Sequence, residues 1–206
     1  MKNIDFFGLH TQFFLDHGFE IHQNYMLFQK SFPIGNQVIF VHHHEDSRGT
    51  CLEYNFGIRI HQVEELIHEF LPTLSGFSER SITLVQSQDK ISKNVPRSFI
   101  IHGEEELTDM LRRGEEFLLS DGIPWLDKMI DPLNLEIAFF ERKSNFFKSH
   151  NFVYNAFRAT ALSKLFNPKD YPYLRQLFLE HIQEKQMTPF TIASFLKFLD
   201  YLNKLD

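Results

Sequence analysis

Val38-Ile39-Phe40-Val41-His42-His43-His44-Glu45-Asp46-Ser47-Arg48-Gly49-Thr50-Cys51-Leu52-Glu53-Tyr54-Asn55-Phe56 is the stretch that decides the fold. Its two arms are rich in β-branched and aromatic residues, and Asp46-Ser47-Arg48-Gly49 between them is a turn signal. With those four residues as the loop, Glu45 pairs with Thr50. One face then sets His44 opposite Cys51, His42 opposite Glu53 and Phe40 opposite Asn55. The other sets His43 opposite Leu52, Val41 opposite Tyr54 and Ile39 opposite Phe56. A slip of one residue would mix the apolar and polar sets, so the register is specified. The second face is the core face, and strand alternation sends His43 to it.

His42, His44, Cys51 and Glu53 gather on the first face near the hairpin end. Directly opposed strand residues have Cβ atoms about 4.5–5.5 Å apart. Imidazole, thiolate and carboxylate are the donors that zinc takes, so these four are the candidate metal ligands. No Cys-x-x-Cys or His-Glu-x-x-His pattern accompanies them. With 11 histidines in the chain, the same spacing equally describes a solvated hairpin face. Farther along the strand Asn55 and Arg59 continue the polar face and are candidates for lining a ligand groove. Trp125, the lone tryptophan, follows Pro124 and is a third candidate, as a binding or interface anchor. A Cys51–His44 nucleophile pair is within geometric reach, but no Gly-rich turn entering a helix offers an oxyanion hole. There is no P-loop, no Gly-x-Gly-x-x-Gly and no Gly-x-Ser-x-Gly. Neither an enzyme nor a cofactor is expected; zinc is the one cofactor the residues would suit.

Outward from the hairpin, residues 3–17 have helical periodicity, with Asn3 as a possible cap and Gly18 as a left-handed stop. Residues 20–31 form a first strand ahead of the turn at Pro33-Ile34-Gly35-Asn36, giving a meander of strands near 20–31, 37–44 and 50–60. His61–Leu71 is a short amphipathic helix with Val63, Leu66, Ile67 and Phe70 on its apolar stripe, ended by Pro72. Strands are expected near 81–86 and 97–102, with a polar, mobile stretch from Ser87 to Pro96 between them. Glu104-Glu105-Glu106 opens a helix, and Asp121-Gly122-Ile123-Pro124 breaks it. Helices follow near 124–130, 133–147, 151–166, 171–185 and 189–204. The last has Thr188 as cap, Pro189 at its first position, and a stripe of Ile192, Phe195, Leu196, Leu199 and Leu202.

The expected fold class is therefore α+β: an antiparallel sheet of about five strands with an N-terminal helix, then a C-terminal helical lobe of four to five helices. Residues 1–130 form the sheet domain and 131–206 the helical lobe. Val38, Ile39, Phe40 and Val41 make the second strand apolar on both sides, which calls for cover on both and favours one body.

Composition narrows the function. A chain of 206 residues with 24 phenylalanines can build a large core; each buried Phe contributes roughly 1.5–3 kcal/mol. The net charge of −6 and the thin basic run at Arg142, Lys143 and Lys148 argue against nucleic acid. One cysteine excludes an internal disulfide framework and fits a reducing compartment. No signal peptide and no run of about 18 apolar residues is found, so a cytoplasmic protein without a membrane span is expected.

The order helix, Gly18-Phe19, a three-strand meander ending in Phe56-Gly57-Ile58, a short helix, further strands and then Gly122-Ile123-Pro124-Trp125-Leu126 resembles small bacterial α+β domains of unknown function. Some of these are encoded beside polymorphic-toxin systems and regarded as their immunity proteins. The resemblance covers residues 3–130 and implies no catalytic residues. The leading expectation is a non-enzymatic protein-interaction module, immunity-like or regulatory, with a protein partner that is basic, since an acidic surface suits one. The alternative is a metal- or small-ligand-binding protein using the outer face of the 37–60 hairpin.

Overall fold

The computed structural model describes residues 4–71, 76–141 and 152–205. The chain is α+β, with an N-terminal helix, an antiparallel sheet and a C-terminal helical region. It divides into two units, each built from two pieces: Met1–Arg59 with Leu84–Ile130, and Ile60–Thr83 with Asp131–Asp206. The short helix after the hairpin thus groups with the C-terminal helices rather than with the sheet.

In the first unit, α1 (Phe6–Asp16) is capped by Asp5, whose carboxylate accepts from the Gly8 N–H at 2.9 Å. The cap is therefore not Asn3, which lies outside the described residues. Gly18 ends the helix at φ 79°, the left-handed conformation expected of it. The first strand is interrupted. β1 (Glu20–His22) passes through a 3₁₀ turn and a left-handed Met26 into β2 (Leu27–Phe32), and β1 folds back on β2. β3 (Gly35–Asp46) and β4 (Gly49–Ile60) are the long central pair. Asp46 and Gly49 are drawn into the strands, so the turn is only Ser47-Arg48. Gly49 sits at φ 132°, and a Cβ there would lie 2.5 Å from the Ile101 carbonyl oxygen. Only glycine permits that approach.

The sheet has six strands in the order β1-β2-β3-β4-β5, with β6 also on β4. β5 (Leu84–Ser87) pairs with residues 55–58 of β4, and β6 (Phe99–Ile101) with residues 50–52. The gap between those ladders falls at Tyr54, and Gln88 closes it. Its side-chain oxygen accepts from the Tyr54 N–H at 2.8 Å and its amide donates to the Pro96 carbonyl at 2.7 Å. Gln88 opens the one-turn helix α3 (Gln88–Ile91) and is fully buried. The segment from Ser87 to Pro96 is thus fastened to the sheet, contrary to a polar mobile loop. A buried backbone N–H must find an acceptor, and here a side chain supplies it.

The expected core face is buried: Ile39, Leu52, Tyr54 and Phe56 have no exposed surface and Val41 has 1%. α1 packs Phe7 and Phe14 on Phe28 at ring distances of 4.4 and 4.1 Å. α4 (Leu107–Phe117) brings Phe117 to Phe56 at 5.7 Å. The expected break at Asp121–Pro124 is instead a π-helical turn, Leu118–Gly122, running directly into α5 (Ile123–Met129). Pro124 is the second residue of α5, directly after that turn. Gly122 lets Phe56 approach, since a Cβ there would sit 2.7 Å from the ring.

The second unit holds α2 (His61–Phe70), α6 (Pro132–Glu141), α7 (Phe152–Phe166), α8 (Tyr171–Glu184) and α9 (Pro189–Leu202). Pro72 and the basic run at 142–148 lie outside the described residues. Thr188 caps α9 through the Thr191 N–H at 3.2 Å. Its buried stripe is Phe195, Phe198, Leu199 and Leu202; Leu196 is exposed. Phe157 of α7 stacks on Phe198 at 4.7 Å, and Phe70 of α2 meets the same ring at 5.3 Å.

Candidate functional site

Local chemistry shapes the hairpin end. Asp46 accepts from the Arg48 backbone N–H at 2.7 Å, an Asx-type closure of the turn. Its other oxygen takes two bonds from the Arg48 guanidinium, at 3.0 and 2.6 Å. Those bonds hold the Asp46 carboxyl down to about 2. The Arg48 guanidinium also reaches to 3.8 Å from the Cys51 sulfur. Cys51 itself is fully buried between β3 and β6. Burial pushes its thiol up, and the Asp46 carboxylate, a hydrogen-bond partner as well as a charge, pushes it the same way. Arg48 opposes with less effect.

His44, Asp46 and Cys51 have donor atoms all within 4.8 Å of one another. They are the one such group among the described residues. The structure therefore joins two of the four expected ligands and adds Asp46. His42 lies exposed in parallel with the Phe40 ring at 5.8 Å. Glu53 accepts from Ser98 Oγ at 2.6 Å. His43, on the core side of the strand, sits 5.0 Å from the Phe6 ring yet remains exposed at the strand end. One nitrogen, one oxygen and one sulfur donor make three positions of a tetrahedral zinc site. An ion there would displace Arg48 from Asp46 and the proton from Cys51.

The three candidate ligand-lining residues do not converge. Asn55 and Arg59 share the Cys51 face of β4, half-buried and buried respectively. Trp125 packs on Phe56 at 6.5 Å, on the opposite face.

Three buried polar constellations were not singled out by sequence reasoning. His10 is fully buried, with Nδ1 2.6 Å from the Phe6 carbonyl and Nε2 2.6 Å from the Tyr54 hydroxyl. A carbonyl only accepts, so Nδ1 carries the proton and Nε2 accepts from Tyr54. Burial lowers the His10 pKa, the Phe6 bond opposing it. Burial likewise raises the Tyr54 hydroxyl, with the Glu115 charge adding to it. The position was legible, because Phe6, His10 and Phe14 recur every four residues.

In the second unit, Glu64 of α2 is fully buried and takes two bonds of 2.8 Å from Arg158 of α7. Burial alone would raise its carboxyl. The Arg158 bonds and charge, with the Ser81 and Thr83 hydroxyls, outweigh that and hold it below the usual carboxylate range. Glu64 sits four residues after Ile60 and three before Ile67, both buried, which was the available signal.

The third constellation lies where α6 meets the α7–α8 loop. Asn167 Nδ2 donates to Glu136 at 2.7 Å and to Asp170 at 2.9 Å. Glu136, Ile137, Asn167, Asp170 and Leu174 line an open hollow of about 170 Å³. Glu136 is only 6% exposed, and its Oε1 is buried without a hydrogen-bond partner. No sequence spacing pointed to it, because the two acids are 34 residues apart.

Among the described residues, no helix is long and apolar enough to cross a membrane. Compared with protein-family models, with curated protein sequences and with solved structures, the chain finds no match.

Proposed function

We propose that this chain is a non-enzymatic protein-interaction module, of the immunity or regulatory kind, working in the cytoplasm on a basic protein partner. The observation that carries the reading is the outer side of α6. Leu133 and Ile137, one helical turn apart, are 48% and 54% exposed. Ile137 borders a hollow that Glu136 and Asp170 also line. Apolar side chains left in water beside two acids suit a surface with apolar anchors and positive charge. The net charge of −6 favours encounter with the same class of partner.

The test is capture from the native host with two baits, the natural chain and a Leu133→Asp/Ile137→Asp variant. A stoichiometric basic protein on the first and not on the second is expected. No stoichiometric partner, or one held equally by both baits, sinks the proposal.

A second reading is a zinc site at the hairpin end, supported by the proximity of His44, Asp46 and Cys51. Elemental analysis of protein purified without a histidine tag decides it. One zinc per chain, lost in a His44→Ala/Cys51→Ala variant, is its expected signature; a metal-free protein removes it.

A further inference from the structure

From the hairpin end we infer that Arg48 is a built-in competitor for the metal position: it grips Asp46 and lies against Cys51, and a thiophilic divalent cation takes the site by expelling it. The inference rests on the zinc reading of His44, Asp46 and Cys51 for its ligand. It adds what sets the affinity and selectivity of that site.

Arg48 already stands where a cation would. Its Nη2 is 2.6 Å from Asp46 Oδ2 and 3.8 Å from the Cys51 sulfur, so a positive group touches two of the three donors. Its Nε gives the same carboxylate oxygen a second bond at 3.0 Å. The donor atoms of His44, Asp46 and Cys51 all lie within 4.8 Å of one another. Zinc, with bonds of about 2.0–2.3 Å, needs them somewhat closer. His44 and Asp46 are exposed side chains, and rotation can close the set. Cys51 is fully buried, but the guanidinium against its sulfur belongs to a side chain that is 59% exposed. When that side chain swings into water, the place between the carboxylate and the sulfur opens from the surface.

The exchange balances in charge. A zinc ion brings two positive charges. One replaces the guanidinium, which leaves Asp46 for water. The other replaces the thiol proton, which passes from Cys51 to solvent as the Zn–S bond forms. Selectivity follows from the same competition. Zinc or cobalt gains imidazole and thiolate as well as carboxylate when it breaks the Arg48 grip. Magnesium or calcium takes oxygen donors, so it would break that grip for one carboxylate alone.

The turn does not depend on the guanidinium. The Arg48 backbone N–H closes it on Asp46 Oδ1 at 2.7 Å, a bond that alanine or lysine keeps. Arg48→Ala therefore removes the competitor and spares the hairpin.

The test is titration of the untagged full chain, held reduced by a phosphine, with Co²⁺ and then with Zn²⁺ in competition. Mg²⁺ and Ca²⁺ serve as controls. Cobalt on Cys51 is read by its thiolate-to-metal charge-transfer band, which should vanish in His44→Ala/Cys51→Ala. Arg48→Ala should bind zinc about two- to fivefold more tightly, the scale of an exposed ion pair that no longer has to be broken. Arg48→Lys, which keeps the charge without the fork, should gain less. The NMR signal of the Arg48 Nε–H should move to the position of a free arginine as zinc saturates the natural chain.

Zinc bound no more tightly by Arg48→Ala, or an Nε–H signal unmoved at saturation, overturns the competition and leaves the zinc site standing. Displacement of the cobalt band by Mg²⁺ or Ca²⁺ as readily as by Zn²⁺ overturns the selectivity. No cobalt band in either the natural chain or Arg48→Ala, or a band kept by the double variant, removes the site and the competition together.

Discussion

Removing Arg158 should unfasten α2 from α7. In Arg158→Met the methylene bulk is partly kept, but Glu64, with no exposed surface, loses both 2.8 Å bonds and its counter-charge. The Ser81 and Thr83 hydroxyls that remain are neutral donors. Breaking a buried pair from one side costs about 3–5 kcal/mol. For a chain of this size each kcal/mol lowers Tm by roughly 2–4 °C, so a drop of about 6–20 °C follows. The pH dependence has a definite sign. In the natural chain the folded Glu64 carboxyl lies below its ordinary value of 4.5, so its contribution is full above that value and fades as pH falls below it. In Arg158→Met, burial is opposed only by the Ser81 and Thr83 hydroxyls and by His68, whose Nε2 lies 3.8 Å from Glu64, so the carboxyl rises and the variant's deficit narrows on acidification as Glu64 takes up a proton. Replacing both partners with apolar residues, Glu64→Leu/Arg158→Met, should recover most of the loss, because no charge is left stranded. Hydrogen exchange of α2 and α7 amides, with urea unfolding at pH 7 and pH 5, measures all three. A single variant within about 1 kcal/mol of the natural chain, or a double variant no better than the single, refutes the reasoning.

Gln88→Leu should orphan the Tyr54 N–H and the Pro96 carbonyl at roughly 1–3 kcal/mol each, read as faster exchange of the Tyr54 amide; unchanged exchange would mean water replaces the side chain without loss. His10 has a folded pKa below its ordinary 6.5, so its contribution is full above that value and is lost as pH drops beneath it. An NMR titration in which His10 protonates at its ordinary pH would contradict the neutral assignment. Asp46 raises the Cys51 thiol and Arg48 lowers it, so Asp46→Asn should speed alkylation of Cys51 and Arg48→Ala should slow it. Rate changes of the same sign in both variants would show that access rather than charge governs the thiol. Gly114→Ala should cost about 1–3 kcal/mol, since its Cβ would collide with the Tyr54 hydroxyl; a variant as stable as the natural chain would show that Tyr54 can move aside.

Alternation along residues 38–56 was enough to choose the buried face, because the core side of an antiparallel pair must be apolar at every second position. Helix ends written in local chemistry, such as Thr188-Pro189, were legible for the same reason. What stayed hidden depends on residues distant in sequence. Glu53 was grouped with the histidines and Cys51 by register alone, with no sign that Ser98, 45 residues away, donates to it. Asp46 looked like a loop residue because a four-residue turn and a two-residue turn give the same pairing of its neighbours, yet only the second brings its carboxylate to His44 and Cys51. The interruption of the first strand by Met26 had no signal, since methionine is not a residue that favours the left-handed region. Gln88 reads as an ordinary polar residue, and only the gap between two ladders on β4 gives its amide a task.

The way the chain is shared between the units bears on how it is made. It crosses the boundary after Arg59, again after Thr83 and again after Ile130. A ribosome that has released residue 130 has delivered every residue of the first unit but only residues 60–83 of the second. Domains tend to fold as they emerge. The sheet unit can therefore close first, while Glu64 and the apolar side of α2 wait in the nascent chain for α7. During that interval the Glu64 carboxylate and its apolar neighbours lack the α7 partners that bury them. The linear boundary at 130/131 thus marks a moment in synthesis as well as a position in sequence: a chain stopped there contains every residue of the sheet unit and, inserted within it, only residues 60–83 of the other.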